Sequence, residues 1–176
     1  MKRFRPLALL VLAVLTAAPA VFAQDENPMI ASFRGLHDIT ETNVMQTARM
    51  LDDEMYAYRP TDDVRSAGEL LAHIANAQFA FCSAAAGEAS PNETNYEQTA
   101  TTKADIIAAL ETGFAYCQGV YDAMSDADAG AMRDFFGRSM TASGILAFNS
   151  AHNYEHYGNL VTYMRMNDLV PPSSQQ

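Results

Sequence analysis

Wound at about 100° per residue, the segment from Thr141 or Ser143 to Met166 separates into two sides. Ile145, Phe148, His152, His156, Leu160 and Tyr163 fall on one side, with Asn149 and Asn159 near them. Ala147, Tyr154, Val161 and Arg165 fall opposite. A helix with such a stripe has to bury it against other helices. Two imidazoles then enter the interior four residues apart, one helical turn above the other. Buried polar groups need partners, because an unpaired one costs roughly 1–3 kcal/mol. A HxxxH pair admits two solutions: a divalent metal shared by both rings, or satisfaction by neighbouring protein groups.

Three more stripes of the same period precede it. Beginning at Met29, residues Ile30, Phe33, His37, Val44, Ala48, Leu51 and Met55 share a face, and Pro60 is expected to end that helix. Ser66 with Glu69 three residues on reads as a capping box, opening a helix that runs to Ala86 and stops at Gly87. Its stripe is Leu70, Ile74, Ala77, Phe81 and Ala84, with His73 on the flank beside Glu69 and Asn76. A third helix spans Thr102 to about Met124, with Ile106, Leu110, Phe114, Cys117, Val120 and Tyr121 inward. No useful strand-like alternation and no repeat is present. The pattern predicts an all-α four-helix bundle with two long connections, 87–101 and 125–141. Phe135-Phe136 in the second connection either plugs the open end of the bundle or lines a pocket; the plug is favoured.

The N-terminus reads as an export signal. Lys2, Arg3 and Arg5 precede an apolar run from Leu7 to Val14, and small residues lead to a cleavage point after Ala23. The run is too short for a comfortable membrane span of about 20 residues and Pro19 breaks it, which disfavours an uncleaved anchor. The expected organisation is therefore a signal peptide over 1–23 and one bundle domain over 24–176. Without residues 1–23 the chain keeps 8 Lys and Arg against 21 Asp and Glu, a net charge of −13. Such a surface repels phosphate backbones and anionic lipid heads, so nucleic acid is not an expected partner. A periplasmic or extracellular location, with no membrane span after cleavage and a small-molecule substrate, is expected.

His73 can bring a third imidazole to the pair, since bundle cores build metal sites from side chains on facing helices. Three imidazoles with open positions is a catalytic type of coordination; a structural zinc site is closed by four protein ligands. The HExxH protease pattern is absent, because Glu155 directly precedes His156. His37, near the start of the first helix, is either a fourth ligand or, as favoured, a core or pocket-rim histidine. Cys82 and Cys117 are the two cysteines. An oxidising compartment permits a disulfide, and two buried free thiols fit equally well.

Two segments, YRPTDDVRSAGELLAHIANAQ (58–78) and AHNYEHYGNLVTYMRMNDLVPPS (151–173), carry a resemblance. Arg-Pro before the second helix, a LLxHI segment within it and HxxxHxGQLxxYxRxxGxxPP along the last helix are marks of the DinB-like (damage-inducible) four-helix-bundle family. The chain resembles that family over most of residues 29–173. It departs at Asn159, where Gln is usual, and at Asn167-Asp168, where a Gly turn is usual. The resemblance implies a divalent metal, usually zinc or nickel, on His73, His152 and His156, with waters in the remaining positions. It also implies a crossover between the second and third helices and, often, pairing as a homodimer. The crossover makes those two helices parallel and brings Cys82 and Cys117 to nearly equal height, so that a disulfide becomes feasible.

Three functional readings follow. The first is a metal-dependent enzyme of hydrolase type or unknown reaction, with Glu69 orienting His73 and Tyr163 donating to a bound oxyanion as candidate catalytic residues. The second is a non-catalytic metal- or ligand-binding bundle of the cell envelope. The third is a bundle whose histidines only satisfy one another. Some DinB-like relatives are transferases or isomerases dependent on cytoplasmic thiols such as bacillithiol or mycothiol, which fits an exported chain poorly.

Overall fold

The computed structural model describes residues 27–175. The expected signal peptide lies outside the described residues. The elements are α1 (Pro28–Met50), α2 (Asp53–Ala57), α3 (Ala67–Ala86), α4 (Tyr96–Thr99), α5 (Lys103–Ala123) and α6 (Asp126–Ala129). A hairpin of β1 (Met132–Phe135) and β2 (Arg138–Thr141) follows, then α7 (Ala142–Met166) and a 3₁₀ turn at Pro172–Ser174. The long helices α1, α3, α5 and α7 form the bundle. Among the described residues, no helix is long and apolar enough to cross a membrane.

Local chemistry sets the ends of these helices. Ser66 and Glu69 form the capping box at the start of α3, and Gly87 closes that helix at φ 77°. Thr102 and Asp105 cap α5 in the same way. The first turn of α1 is capped from a distance: the Asp126 carboxylate accepts from the Met29 and Ile30 amides. The helix expected to run unbroken to Pro60 instead stops at Met50. Leu51 turns extended and buries, and Asp52 starts the short α2 by accepting from the Met55 amide. The apolar spacing of Leu51 and Met55 persists across that break, which is why periodicity does not reveal it.

Helix directions follow from residue pairs. Gly68 lies against Ile106, Gly113 against Ala75 and Gln78, and Cys82 is disulfide-bonded to Cys117 across a Cα–Cα distance of 5.4 Å. Sequence numbers rise together along both helices, so α3 and α5 are parallel. At Gly113 a Cβ would sit 3.0 Å from the Ala75 carbonyl oxygen, so glycine permits this close approach. Arg34 pairs with Asp122, Gln118 with Glu41 and Arg49 with Glu111, making α1 and α5 antiparallel. Contacts from Tyr163 to Arg65 and from Asn149 to Cys82 make α7 antiparallel to α3. Parallel α3 and α5 require the chain between them to travel back along the bundle, and this crossover carries α4 past the middle of α3.

The apolar core fills two zones. One is centred on Leu71, Ile74, Leu110, Phe114 and Leu160; the other surrounds Cys82, Cys117, Tyr121, Ile145 and Leu146. A buried polar layer crosses the middle. Gln78 Oε1 accepts from Asn149 Nδ2 and lies 3.0 Å from His37 Nε2, while Gln78 Nε2 donates to Asn153 Oδ1 at 2.8 Å. Asn153 in turn donates to Thr40. Asn159, expected on the inner face, is exposed, and Asn153 is buried in its stead.

The connection 125–141 departs from the expectation of no strands. Met132–Phe135 pairs antiparallel with Arg138–Thr141 around a two-residue turn, Phe136-Gly137. Four-residue strands are too short to show alternation against a helical background. Phe135 is 7% exposed and plugs the bundle end, whereas Phe136 is 77% exposed and plugs nothing.

Candidate metal centre

His152 and His156 lie on the α3-facing side of α7, and His73 comes from the middle of α3. Their Nε2 atoms converge. His152 Nε2 is 3.1 Å from His73 Nε2 and 3.0 Å from His156 Nε2. One ligand nitrogen from each ring lies within 4.8 Å of the others, so this group could hold a metal ion. Two nitrogens bound at about 2.1 Å to one ion, at about 90–109°, stand about 3.0–3.4 Å apart. The observed spacing matches that separation.

The protonation pattern also suits a cation. His73 Nδ1 is 2.7 Å from Glu97 Oε1. A carboxylate only accepts, so Nδ1 carries a proton and Nε2 is the ring nitrogen turned to the other two imidazoles. Burial foremost, then the neighbouring His156 and His73, push the His152 pKa down to about 3. Burial, followed by His73, also lowers that of His156. Neutral imidazole is the form that ligates. His152 Nδ1 and His156 Nδ1 are buried with no hydrogen-bond partner.

Glu97 is the residue that sequence reasoning missed. It sits on α4 in the crossover, and its carboxylate bridges His73 and the Arg65 guanidinium, with Oε2 3.1 Å from Arg65 Nε. Burial alone would raise its pKa, but the His73 hydrogen bond and charge, with Arg65, hold it below the usual carboxylate range. The crossover is pinned for this purpose by Asn76, which donates to Asn95 Oδ1 and accepts from the Tyr96 amide. The sequence signal was slight: a Glu in a polar connection of a bundle whose parallel helices force that connection past α3.

Glu69, the expected orienting residue, faces elsewhere. Its Oε2 accepts from the Ser66 amide at 2.7 Å, and both oxygens accept from Arg59. The capping box that the sequence announced already occupies this side chain. Tyr163 donates its hydroxyl to the Arg65 carbonyl at 3.0 Å. Both residues line a cleft of about 640 Å³ together with Arg59, Arg65, Glu97 and His156. His37 stands apart from the triad: it is fully buried, bonded to Gln78, and packed edge-on against Phe114 and tilted against Tyr121. Burial lowers its pKa. Its place is the core, as favoured from the sequence; its nearest acidic neighbours are Asp38 and Glu41 of α1.

The family model described as the DinB superfamily matches residues 36–160. The chain belongs to the DinB superfamily. It is 25% identical over 143 residues to YjoA of Bacillus subtilis, an uncharacterized protein, covering 79% of this chain and 88% of that relative. A DinB-like protein of Bacillus cereus superposes with a TM-score of 0.71 at 22% identity, over 81% of this chain and 95% of that one. A mycothiol-dependent maleylpyruvate isomerase matches with a TM-score of 0.61 at 16% identity, over 74% of this chain and 60% of the isomerase. These likenesses establish the DinB-like fold.

Proposed function

We propose that this DinB-superfamily protein is a metal-dependent enzyme of hydrolase type, holding a divalent cation, zinc or nickel, on His73, His152 and His156. The observation that carries this is the convergence of three Nε2 atoms with His73 held through Nδ1 by Glu97. A cation held there supplies Lewis-acid polarisation of a substrate oxygen and acidification of water.

The chain's own residues shape the rest. Glu97 orients His73, and Arg65 holds Glu97. The cleft beside His156 admits a small molecule, with Tyr163 and Arg59 along its wall. The acidic surface disfavours nucleic acid as a substrate. Action in the periplasm or outside the cell, as a single domain or a homodimer, is part of the proposal; the Cys82–Cys117 disulfide supports an oxidising compartment.

One observation favours a second reading, a non-catalytic metal- or ligand-binding bundle. Glu69, Glu97 and Tyr163 are all engaged by protein partners, which leaves no carboxylate or phenol of the three unpaired in the cleft. A thiol-dependent transferase is a weaker alternative, since the likeness to the mycothiol-dependent isomerase is one of fold. Elemental analysis of the purified protein is the test. We expect one zinc or nickel per chain, lost in His73→Ala and in His152→Ala; a metal-free protein whose melting temperature ignores added zinc and nickel would refute the site.

A further inference from the structure

We propose that the cleft beside His156 selects a cationic substrate: Asp62 and Asp63 receive the ammonium or guanidinium end of a small molecule whose other end reaches the three imidazoles. The proposal rests on the metal reading above and names a substrate class for it.

The cleft has a volume of about 640 Å³, within the range of small-molecule sites. His156 forms part of its wall, is only 8% exposed, and has an Nδ1 with no protein partner. A ligand lying in the cleft is therefore beside the histidine centre rather than on a remote surface.

The charge left over in the cleft points to the kind of ligand. Two arginines beside a metal site ordinarily suggest an anionic substrate. Here both guanidinium groups are taken. Arg59 Nη2 lies 3.1 Å from each Glu69 oxygen, and its Nη1 donates to the Val64 carbonyl. Arg65 Nε donates to Glu97 Oε2 at 3.1 Å. Asp62 and Asp63 are in the opposite condition: neither carboxylate makes a hydrogen bond or an ion pair. The α3 cap falls to Ser66, so neither Asp serves the helix end. The lining thus carries four carboxylates against two guanidinium groups, a formal charge of −2. A concave wall whose cations are paired and whose spare groups are carboxylates concentrates positive charge.

The loop bearing the two carboxylates is tied down at both ends. The Ala67 amide donates to the Tyr58 carbonyl at 3.0 Å, Arg59 spans the loop to Val64, and the Tyr163 hydroxyl of α7 donates to the Arg65 carbonyl. Carboxylates on a loop held to α3 and α7 bind a cation without the ordering cost that a free loop imposes.

The test titrates three probes with one metal-binding head into the zinc-loaded protein: 4-aminobutanohydroxamate, butanohydroxamate and succinomonohydroxamate. At about pH 7 the first carries a positive tail, the second a neutral one and the third a negative one. Two exposed carboxylates predict about five- to tenfold tighter binding of the amine than of the neutral probe at low salt, and a preference of about twofold at high salt. The carboxylate probe should bind weakest. Asp62→Asn combined with Asp63→Asn should bring the amine and neutral probes within about twofold of each other. Both positions are exposed, and retained zinc reports that the variant is folded. Removing the same charge at the hairpin end, with Glu88→Gln and Asp134→Asn, should leave the preference as in the wild type. Equal affinity for the amine and neutral probes overturns the proposal, as does tighter binding of the carboxylate probe, which assigns the cleft to its arginines. A preference that survives loss of Asp62 and Asp63, or that disappears with the hairpin-end pair, belongs to the net charge of the chain and also overturns it. In each of these cases bound zinc leaves the metal reading standing; failure to take up zinc removes both together.

Discussion

Replacing Glu97 by Ala probes the least expected part of the centre. Glu97 Oε1 accepts from His73 Nδ1 at 2.7 Å, and the two side chains are only 27% and 24% exposed. A hydrogen bond to a charged acceptor contributes about 1.5–3 kcal/mol, and carboxylates behind ligating histidines typically change metal affinity by about 10–100-fold. The Ala variant should therefore bind zinc about 10–100-fold more weakly. Glu97→Gln keeps an acceptor oxygen but loses the charge, so a smaller loss, about three- to tenfold, is expected. Arg65→Ala leaves the His73–Glu97 bond intact and should fall nearer wild type. Competition of the purified proteins against a chromogenic chelator measures all three at one pH. Zinc affinity of Glu97→Ala within twofold of wild type would refute the orienting role and reduce Glu97 to a tether for the crossover.

Two further substitutions test the interior. Gln78→Leu strips partners from His37, Asn149 and Asn153 at once, and should cost about 3 kcal/mol, or about 6–12 °C in thermal melting; a shift below about 2 °C would mean that the layer re-pairs without Gln78. The Cys82–Cys117 bridge closes a span of 35 residues and should contribute about 3–4 kcal/mol. Intact mass after alkylation should show two added groups only in reduced protein, and alkylation without reductant would contradict the bridge.

The sequence made the helices legible where local chemistry decides them. Ser66-Glu69, Thr102 and Gly87 specify helix ends by their own side chains or backbone, and the structure places the ends there. The three histidines were legible because their helices are long and periodic, so their facing could be wound out in advance. Features set by long-range topology were not. Glu97 reaches His73 only because parallel α3 and α5 carry the connection back along the bundle, a fact that no local window contains. Glu69 looked better placed from spacing alone, yet its capping geometry commits its carboxylate to the Ser66 amide and Arg59. The hairpin was hidden for a different reason: its strands are four residues each, and its turn carries Phe where Asn or Gly normally signals the bend. Asn153 was not singled out in the sequence, because its burial depends on partners that Gln78 and Thr40 bring from other helices.

The claim that the three histidines form one metal centre is tested most directly by anomalous X-ray scattering from crystals of the zinc- or nickel-loaded protein, recorded on either side of the metal's absorption edge. The account predicts a single strong peak bonded to the Nε2 atoms of His73, His152 and His156, with Glu97 retained on His73. A peak instead beside His37, Asp38 and Glu41, or no peak in protein shown to be fully metallated in solution, would contradict it.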